Sequence, residues 1–156
     1  MSTLSFDGCA HTLKLLGDDG STIGTWTAYN HVDRRATFSH VENGTYQIQD
    51  KLKPHLHPGD SEDGSYGSYG IIRFNYSGHP GVGVHSGRAH SPYQPGPEHA
   101  TKGCIRTTDE AMKKIKENMA RSSLSTISVA NNSGCEAMSA TQKYGNIYIP
   151  PGMNLL

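Results

Sequence analysis

The residues best suited to chemistry in this chain lie in two short runs. His85-Ser86-Gly87 is followed, after an intervening loop, by Thr101-Lys102-Gly103-Cys104-Ile105-Arg106. A free thiol is mostly protonated at neutral pH and needs a partner to become a nucleophile. An upstream histidine can take that proton. Gly103, just before the cysteine, leaves room for a substrate. A guanidinium such as Arg106 can hold a carboxylate through two parallel hydrogen bonds. In an extended Cys104-Ile105-Arg106, residues 104 and 106 share one side and Ile105 takes the other. The two runs therefore describe a cysteine acyl-transfer site with a carboxylate anchor. His90 and His99 also precede the cysteine and compete with His85 for the role of base, and His99 falls in a Pro- and Gly-rich stretch that favours exposure.

Other chemistries find less support. Nine histidines raise a metal reading, and His55-Leu56-His57 and Cys9-Ala10-His11 have alternating spacing. No Cys-x-x-Cys or His-Glu-x-x-His pattern accompanies them, so no metal site and no cofactor is expected. Tyr66-Gly67-Ser68-Tyr69-Gly70 is Gly-rich but lacks the Lys-Ser/Thr pair of a phosphate loop. Fourteen basic residues balance fourteen acidic ones, which argues against a nucleic-acid or anionic-membrane surface. No apolar run approaches the roughly 20 residues of a membrane span. The first ten residues lack the basic-then-apolar order of a signal peptide, so none is expected.

The 156 residues suffice for a single domain with its own core, and 18 glycines and eight tyrosines suit a β-rich, loop-rich fold. A hairpin is expected from His11–Leu16, the turn Gly17-Asp18-Asp19-Gly20, and Thr22–Tyr29, with Trp26 in the core. Further strands are expected over Thr45–Gln49, Tyr69–Tyr76, Val82–His85, Thr126–Ala130 and Asn146–Ile149. The Pro- and Gly-bearing stretch Lys51–Tyr66 reads as a long loop at a functional rim. Ser86–Thr101, with three prolines, reads as a flap over the site. Thr107 and Glu110 fit a capping box, and Ala111, Met112, Ile115 and Met119 follow at helical spacing, so a helix is expected over residues 108–121. The fold class is thus mainly β with one packed helix, over one domain, 1–156. Cys9 and Cys135 lie near opposite chain ends, which are often close in a domain. A disulfide between them would leave Cys104 as the thiol; the alternative is three reduced cysteines.

The run from His85 to Arg106 resembles the catalytic motif of the YkuD-type L,D-transpeptidases. That motif is a His, a spacer of about fifteen residues, then Ser/Thr-His-Gly-Cys, an apolar residue and often Arg. Here residues 86–100 form the spacer and only Lys102 departs, standing where the family has a second His. Leu13–Tyr29 and Gly44-Thr45-Tyr46-Gln47-Ile48 are similar to the family's opening hairpin and next strand. The Lys102 variation is most like the small L,D-transpeptidase-like effectors delivered by type VI secretion.

The resemblance implies a β-sandwich or barrel-like fold acting on peptidoglycan stem peptides. It implies Cys104 as nucleophile and His85 as base, oriented by a carbonyl near Ser86 or Gly87. It also implies an oxyanion hole from the amides of Gly103 and Cys104, helped by the Tyr69 hydroxyl, and Arg106 and Thr101 as substrate contacts. Removal of terminal D-Ala, its exchange for another D-amino acid, and cross-linking are all compatible outcomes. By the same analogy the protein is made in a bacterial cytoplasm, delivered to the periplasm of a target cell, and matched by an immunity protein. An NlpC/P60-type amidase is a rival, but there the Cys precedes the His and opens a helix. A non-catalytic peptidoglycan-binding module using Trp26 and tyrosines is the second rival.

Overall fold

The computed structural model of the chain describes residues 1–133. Alternation of polar and apolar residues builds its larger sheet. β1 (Ser2–Asp7) buries Leu4 and Phe6, β2 (Thr12–Leu16) buries Leu13 and Leu15, and β8 (Leu124–Ala130) buries Leu124, Ile127 and Val129. β3 (Thr22–Thr27) and β4 (Gly44–Gln47) are the edges, giving the order β3-β2-β1-β8-β4. Only the β1–β8 pair is parallel; the neighbouring pairs run antiparallel. Trp26 is partly buried and packs against the core, as expected.

A second sheet carries the chemistry. It has three short strands in the order β5 (Ile72–Arg73), β6 (Gly83–His85) and β7 (Ile105–Arg106). β5 and β6 are antiparallel; β6 and β7 are parallel, with Val84 opposite Ile105 and His85 opposite Arg106. Isolated bridges join the two sheets at their rims, Tyr29 to Arg106 and Ile48 to Phe74. Helix α1 (Asp109–Met119) follows β7 and buries Ala111, Met112, Ile115 and Met119 against both sheets' apolar residues. Its spacing gives the apolar stripe that docking requires.

Three expectations are corrected. β1, at the centre of the larger sheet, was not expected, although Thr3-Leu4-Ser5-Phe6 alternates. The strand expected over Tyr69–Tyr76 shrinks to Ile72–Arg73, because Ile71 pairs instead with His55 in the preceding loop. The helix N-cap is Thr108, whose hydroxyl accepts from the Ala111 amide at 3.0 Å. Thr107 is engaged elsewhere, its amide donating to His85 O and its hydroxyl to Thr27 O, both at 2.8 Å. The loop over Lys51–Tyr66 is as expected, and the Ser86–Thr101 loop adds one 3-10 turn at Gly96–Glu98. The expected strand at Asn146–Ile149 and the Cys9–Cys135 pairing fall on residues outside those described.

Candidate active site

Sheet register brings the histidine and the cysteine together. In β6 positions 83 and 85 share a face, and along β7 and the residue before it positions 104 and 106 share one. With His85 opposite Arg106 in a parallel pair, Cys104 becomes the diagonal neighbour of His85. Such diagonal neighbours are within reach for long or aromatic side chains. Cys104 is a free, partly buried cysteine packed on the core. His90 and His99 have other partners. Exposed His90 lies 2.8 Å from Asp63, and His99 lies 3.2 Å from the Tyr93 carbonyl.

His85 is 3 % exposed, and its Nδ1 lies 2.8 Å from Ser86 O. A carbonyl can only accept, so Nδ1 carries the proton of the neutral ring and Nε2 keeps its lone pair. Burial, and then the charge of Arg106, push the imidazolium down to about 3, against the opposing effect of the Ser86 hydrogen bond. Burial also pushes the Cys104 thiol up, opposed by a main-chain hydrogen bond from Gly83 and by Arg106. Desolvation disfavours whichever form is charged. The resting pair is therefore a neutral thiol beside a neutral imidazole. Such a pair suits general-base activation at the moment of attack.

The turn before the cysteine is built by Asn30, which the sequence pattern does not single out, and by Thr101. Asn30 is fully buried. Its Nδ2 donates to Gly103 O at 2.9 Å and to Cys104 O at 3.0 Å, while its Oδ1 accepts from the Val41 amide at 2.7 Å and from Asn132 Nδ2 at 3.0 Å. Thr101, 8 % exposed, donates to Cys104 O at 2.7 Å and accepts from the Gly103 amide at 3.1 Å. Thr101 thus shapes the nucleophile turn. The Gly103 amide, expected in an oxyanion hole, is occupied by that bond.

Gly103 has φ +140, and a Cβ there would lie 2.5 Å from His79 Cε1. The His79 ring stacks on Phe38 with centroids 3.7 Å apart, so these two rings wall the turn just before Cys104. Asn30→Ala would strand the Gly103 carbonyl and the Val41 amide in the interior and leave the Cys104 carbonyl to Thr101 alone. At about 1–3 kcal/mol for each unsatisfied buried group, a loss of roughly 2 kcal/mol or more is expected. A denaturant titration would read it as a lowered midpoint.

Arg106 differs from its expected role. It is 3 % exposed and donates to four main-chain carbonyls. Nε bonds Ser86 O at 3.2 Å, one terminal nitrogen bonds His99 O at 2.7 Å and Ala100 O at 3.2 Å, and the other bonds Ser65 O at 2.9 Å. Four of its five N–H groups are thereby used. The two parallel bonds needed to grip a carboxylate are already spent in this arrangement. Arg106 instead ties both ends of the Ser86–Thr101 loop to the Lys51–Tyr66 loop and shares the Ser86 carbonyl with the histidine. Arg106→Met should therefore lower Tm by several degrees and kcat together. A substrate-carboxylate anchor would instead show a raised KM at unchanged Tm, which thermal melts and steady-state kinetics distinguish.

The Tyr69 ring packs on the core, with Lys116 Nζ 5.7 Å from its centroid on the α1 side. The tyrosine that meets the histidine is Tyr66, edge-on to His85 at 5.0 Å and stacked on His57 at 4.4 Å. The long Lys51–Tyr66 loop thus covers His85. Gly87, at φ +113, passes close to Gly64 and Ser65, where a Cβ would meet Gly64 O at 2.4 Å. Only glycine allows the two loops to pack this closely. Among the described residues, the one cluster with metal-ligand spacing is Glu62, Asp63 and His90, all exposed.

The chain's likenesses to known proteins agree with this geometry. The YkuD family model, an L,D-transpeptidase catalytic domain, matches residues 10–129. An L,D-transpeptidase (Yku) from Stackebrandtia nassauensis has a similar fold, with TM-score 0.51 and 20% identity, covering 82% of this chain and 54% of that one. Mycobacterium tuberculosis L,D-transpeptidase 1 aligns with TM-score 0.52 and 18% identity, over 83% and 61% of the two chains. The L,D-transpeptidase of Xylanimonas cellulosilytica aligns with TM-score 0.51 and 14% identity, over 82% and 59%. This chain spans less than two thirds of the length of each of these structures. Comparison with curated proteins gave no match.

Proposed function

This chain belongs to the YkuD family of L,D-transpeptidase catalytic domains, and from that premise we propose that it performs cysteine acyl transfer on peptidoglycan stem tetrapeptides. The observation that supports the reading is the pairing of β6 with β7, whose register makes Cys104, a free thiol, the diagonal neighbour of His85, whose Nδ1 meets Ser86 O. Cys104 Sγ attacks the carbonyl of the third stem residue, an L-centre, as His85 Nε2 takes the thiol proton. The carbonyl oxygen becomes an oxyanion, for which the Cys104 amide is the remaining main-chain donor of the expected pair. Collapse breaks the C–N bond to the terminal D-Ala, and the His85 imidazolium returns its proton to the leaving amine. The thioester is then resolved by water, by the amine of a D-amino acid, or by an amine of a second stem. Water gives a carboxypeptidase; the amines give exchange or cross-linking.

Delivery by type VI secretion to the periplasm of a target cell, with an immunity protein as partner, belongs to the same proposal. Its support is the likeness of Thr101-Lys102-Gly103-Cys104 to the small effectors.

Mass spectrometry of purified disaccharide tetrapeptide, incubated with the protein and excess D-Met, tests the chemistry. Loss of D-Ala, or its replacement by D-Met, is the expected result, and the product ratio ranks hydrolysis against exchange. Cleavage elsewhere in the stem would point to the amidase. An untouched tetrapeptide with retained binding to sacculi would point to a binding module.

A further inference from the structure

We propose that Asp109 is a positioning residue for this acyl transfer, acting on His85 through Ser86. The inference rests on the acyl-transfer reading above for its kinetic consequence, while the contacts it uses stand apart from that reading. Ser86 is 1 % exposed, and its hydroxyl donates to Asp109 Oδ1 at 2.5 Å. The hydroxyl proton is thereby committed to Asp109, and Ser86 serves the site through its carbonyl. That carbonyl accepts from His85 Nδ1 at 2.8 Å and from Arg106 Nε at 3.2 Å.

Residue 86 is thus held from two directions. Its side chain is fixed to the first residue of α1 and its carbonyl to β7. Helix α1 is itself rigidly seated through Met112 and Ile115, both fully buried. Asp109 also accepts from Ser68, from the amide at 3.1 Å and from the hydroxyl at 2.5 Å, so one carboxylate gathers two loops. Hydroxyl-to-carboxyl bonds of this length are among the shorter hydrogen bonds in proteins. A carbonyl fixed in this way holds the imidazole in one tautomer and one rotation. Small misplacements of a catalytic group from a distance can cost rate on the order of a hundredfold.

The test is a double-mutant cycle on the whole chain, with three readouts. Asp109→Ala and Ser86→Ala should each lower kcat on the disaccharide tetrapeptide roughly ten- to hundredfold, with KM within about twofold. The double variant should lose no more than either single one, because both break the same link. Asp109→Asn keeps an oxygen facing Ser86 and should recover part of kcat. Ser68→Ala, which removes only the other hydroxyl from Asp109, should stay within about twofold of the parent.

The second readout is the 15N-edited NMR signal of His85 Nδ1–H. It should be sharp in the parent and shifted or broadened in Asp109→Ala. The third, Tm, separates simple destabilisation from misplacement. Parental kcat and an unchanged Nδ1–H signal in Asp109→Ala would overturn the proposal, as would additive losses in the double variant. Should Asp109→Ala not fold, Asp109→Asn and Ser86→Ala carry the cycle. Should the parent leave the tetrapeptide untouched, the acyl-transfer reading fails. The NMR signal alone then decides the link: altered in Asp109→Ala it stands, unaltered it falls.

Discussion

Cys104→Ala is expected to abolish acyl transfer, by about ten-thousandfold or more, and to leave the fold in place. The size follows from the proposed role, in which the thiol forms the bond that splits one difficult step into two. Retention of the fold follows from the contacts. The turn around residue 104 is held by its backbone, through Asn30 Nδ2 and Thr101 Oγ1 on the Cys104 carbonyl, and none of these bonds uses sulfur. The residue is only partly buried, so removal of the sulfur leaves a small void at most. Intact-protein mass spectrometry after brief mixing with tetrapeptide should show an acyl adduct on the parent and none on the variant. Tm of the two should agree within about 3 °C, since roughly 1 kcal/mol corresponds to about 2–4 °C in a domain of this size. Parental turnover by Cys104→Ala would overturn the cysteine mechanism outright.

His85→Gln should lower kcat by roughly a hundred- to ten-thousandfold, the usual reach of a general base. Its amide can still donate to Ser86 O, so the variant separates proton transfer from loop architecture. The parent's pH behaviour is the sharper observation. In the folded protein burial holds His85 neutral down to about pH 3, whereas the ordinary value is 6.5. Above pH 6.5 neither state binds the proton and the contribution to stability is complete. Between 6.5 and 3 only the unfolded chain is protonated, so stability falls with falling pH, by about 1.4 kcal/mol per unit. His79 and His99, also lowered by burial, act in the same direction. The difference between parent and His85→Gln therefore isolates His85: the variant's Tm should fall less between about pH 6.5 and pH 4. kcat/KM of the parent should show no inflection near 6.5, because His85 is already the free base there. An inflection at that pH, vanishing in His85→Gln, would mean that the ring is solvated and titrates normally.

The site mixes residues that are legible in the chain with residues that are not. Gly103-Cys104-Ile105-Arg106 and His85 stand out because nucleophile, base and spacing are written in residue types. Their strands are legible too, since Val82–His85 is an apolar run and Cys104–Arg106 alternates. The helix is legible from Ala111, Met112, Ile115 and Met119, though its cap lies one residue further on. Adjacent threonines at 107 and 108 both satisfy a cap, and only the demand of Thr27 O and His85 O for partners chooses between them. The alternation in β1 is equally readable, yet nothing in it distinguishes a central strand from a frayed chain end.

What the sequence by itself indicated is the class of chemistry: a cysteine in a Gly-Cys-Ile-Arg run with histidines before it, a β-rich scaffold with a single amphipathic helix, and a charge balance that argues against polyanion partners. Residue type and short-range periodicity carry all of that. The tertiary structure alone decided who serves the pair and how. Arg106, expected as a substrate anchor, brackets four carbonyls, Thr101 and Asn30 frame the nucleophile turn, and Tyr66 lies edge-on to the histidine. The physical reason is shared. A polar side chain has several donors or acceptors, and which are spent on buried main-chain groups depends on carbonyls and amides brought in from distant segments. Asn30 and Cys104 are far apart in sequence yet hydrogen-bonded, and no local pattern records that encounter.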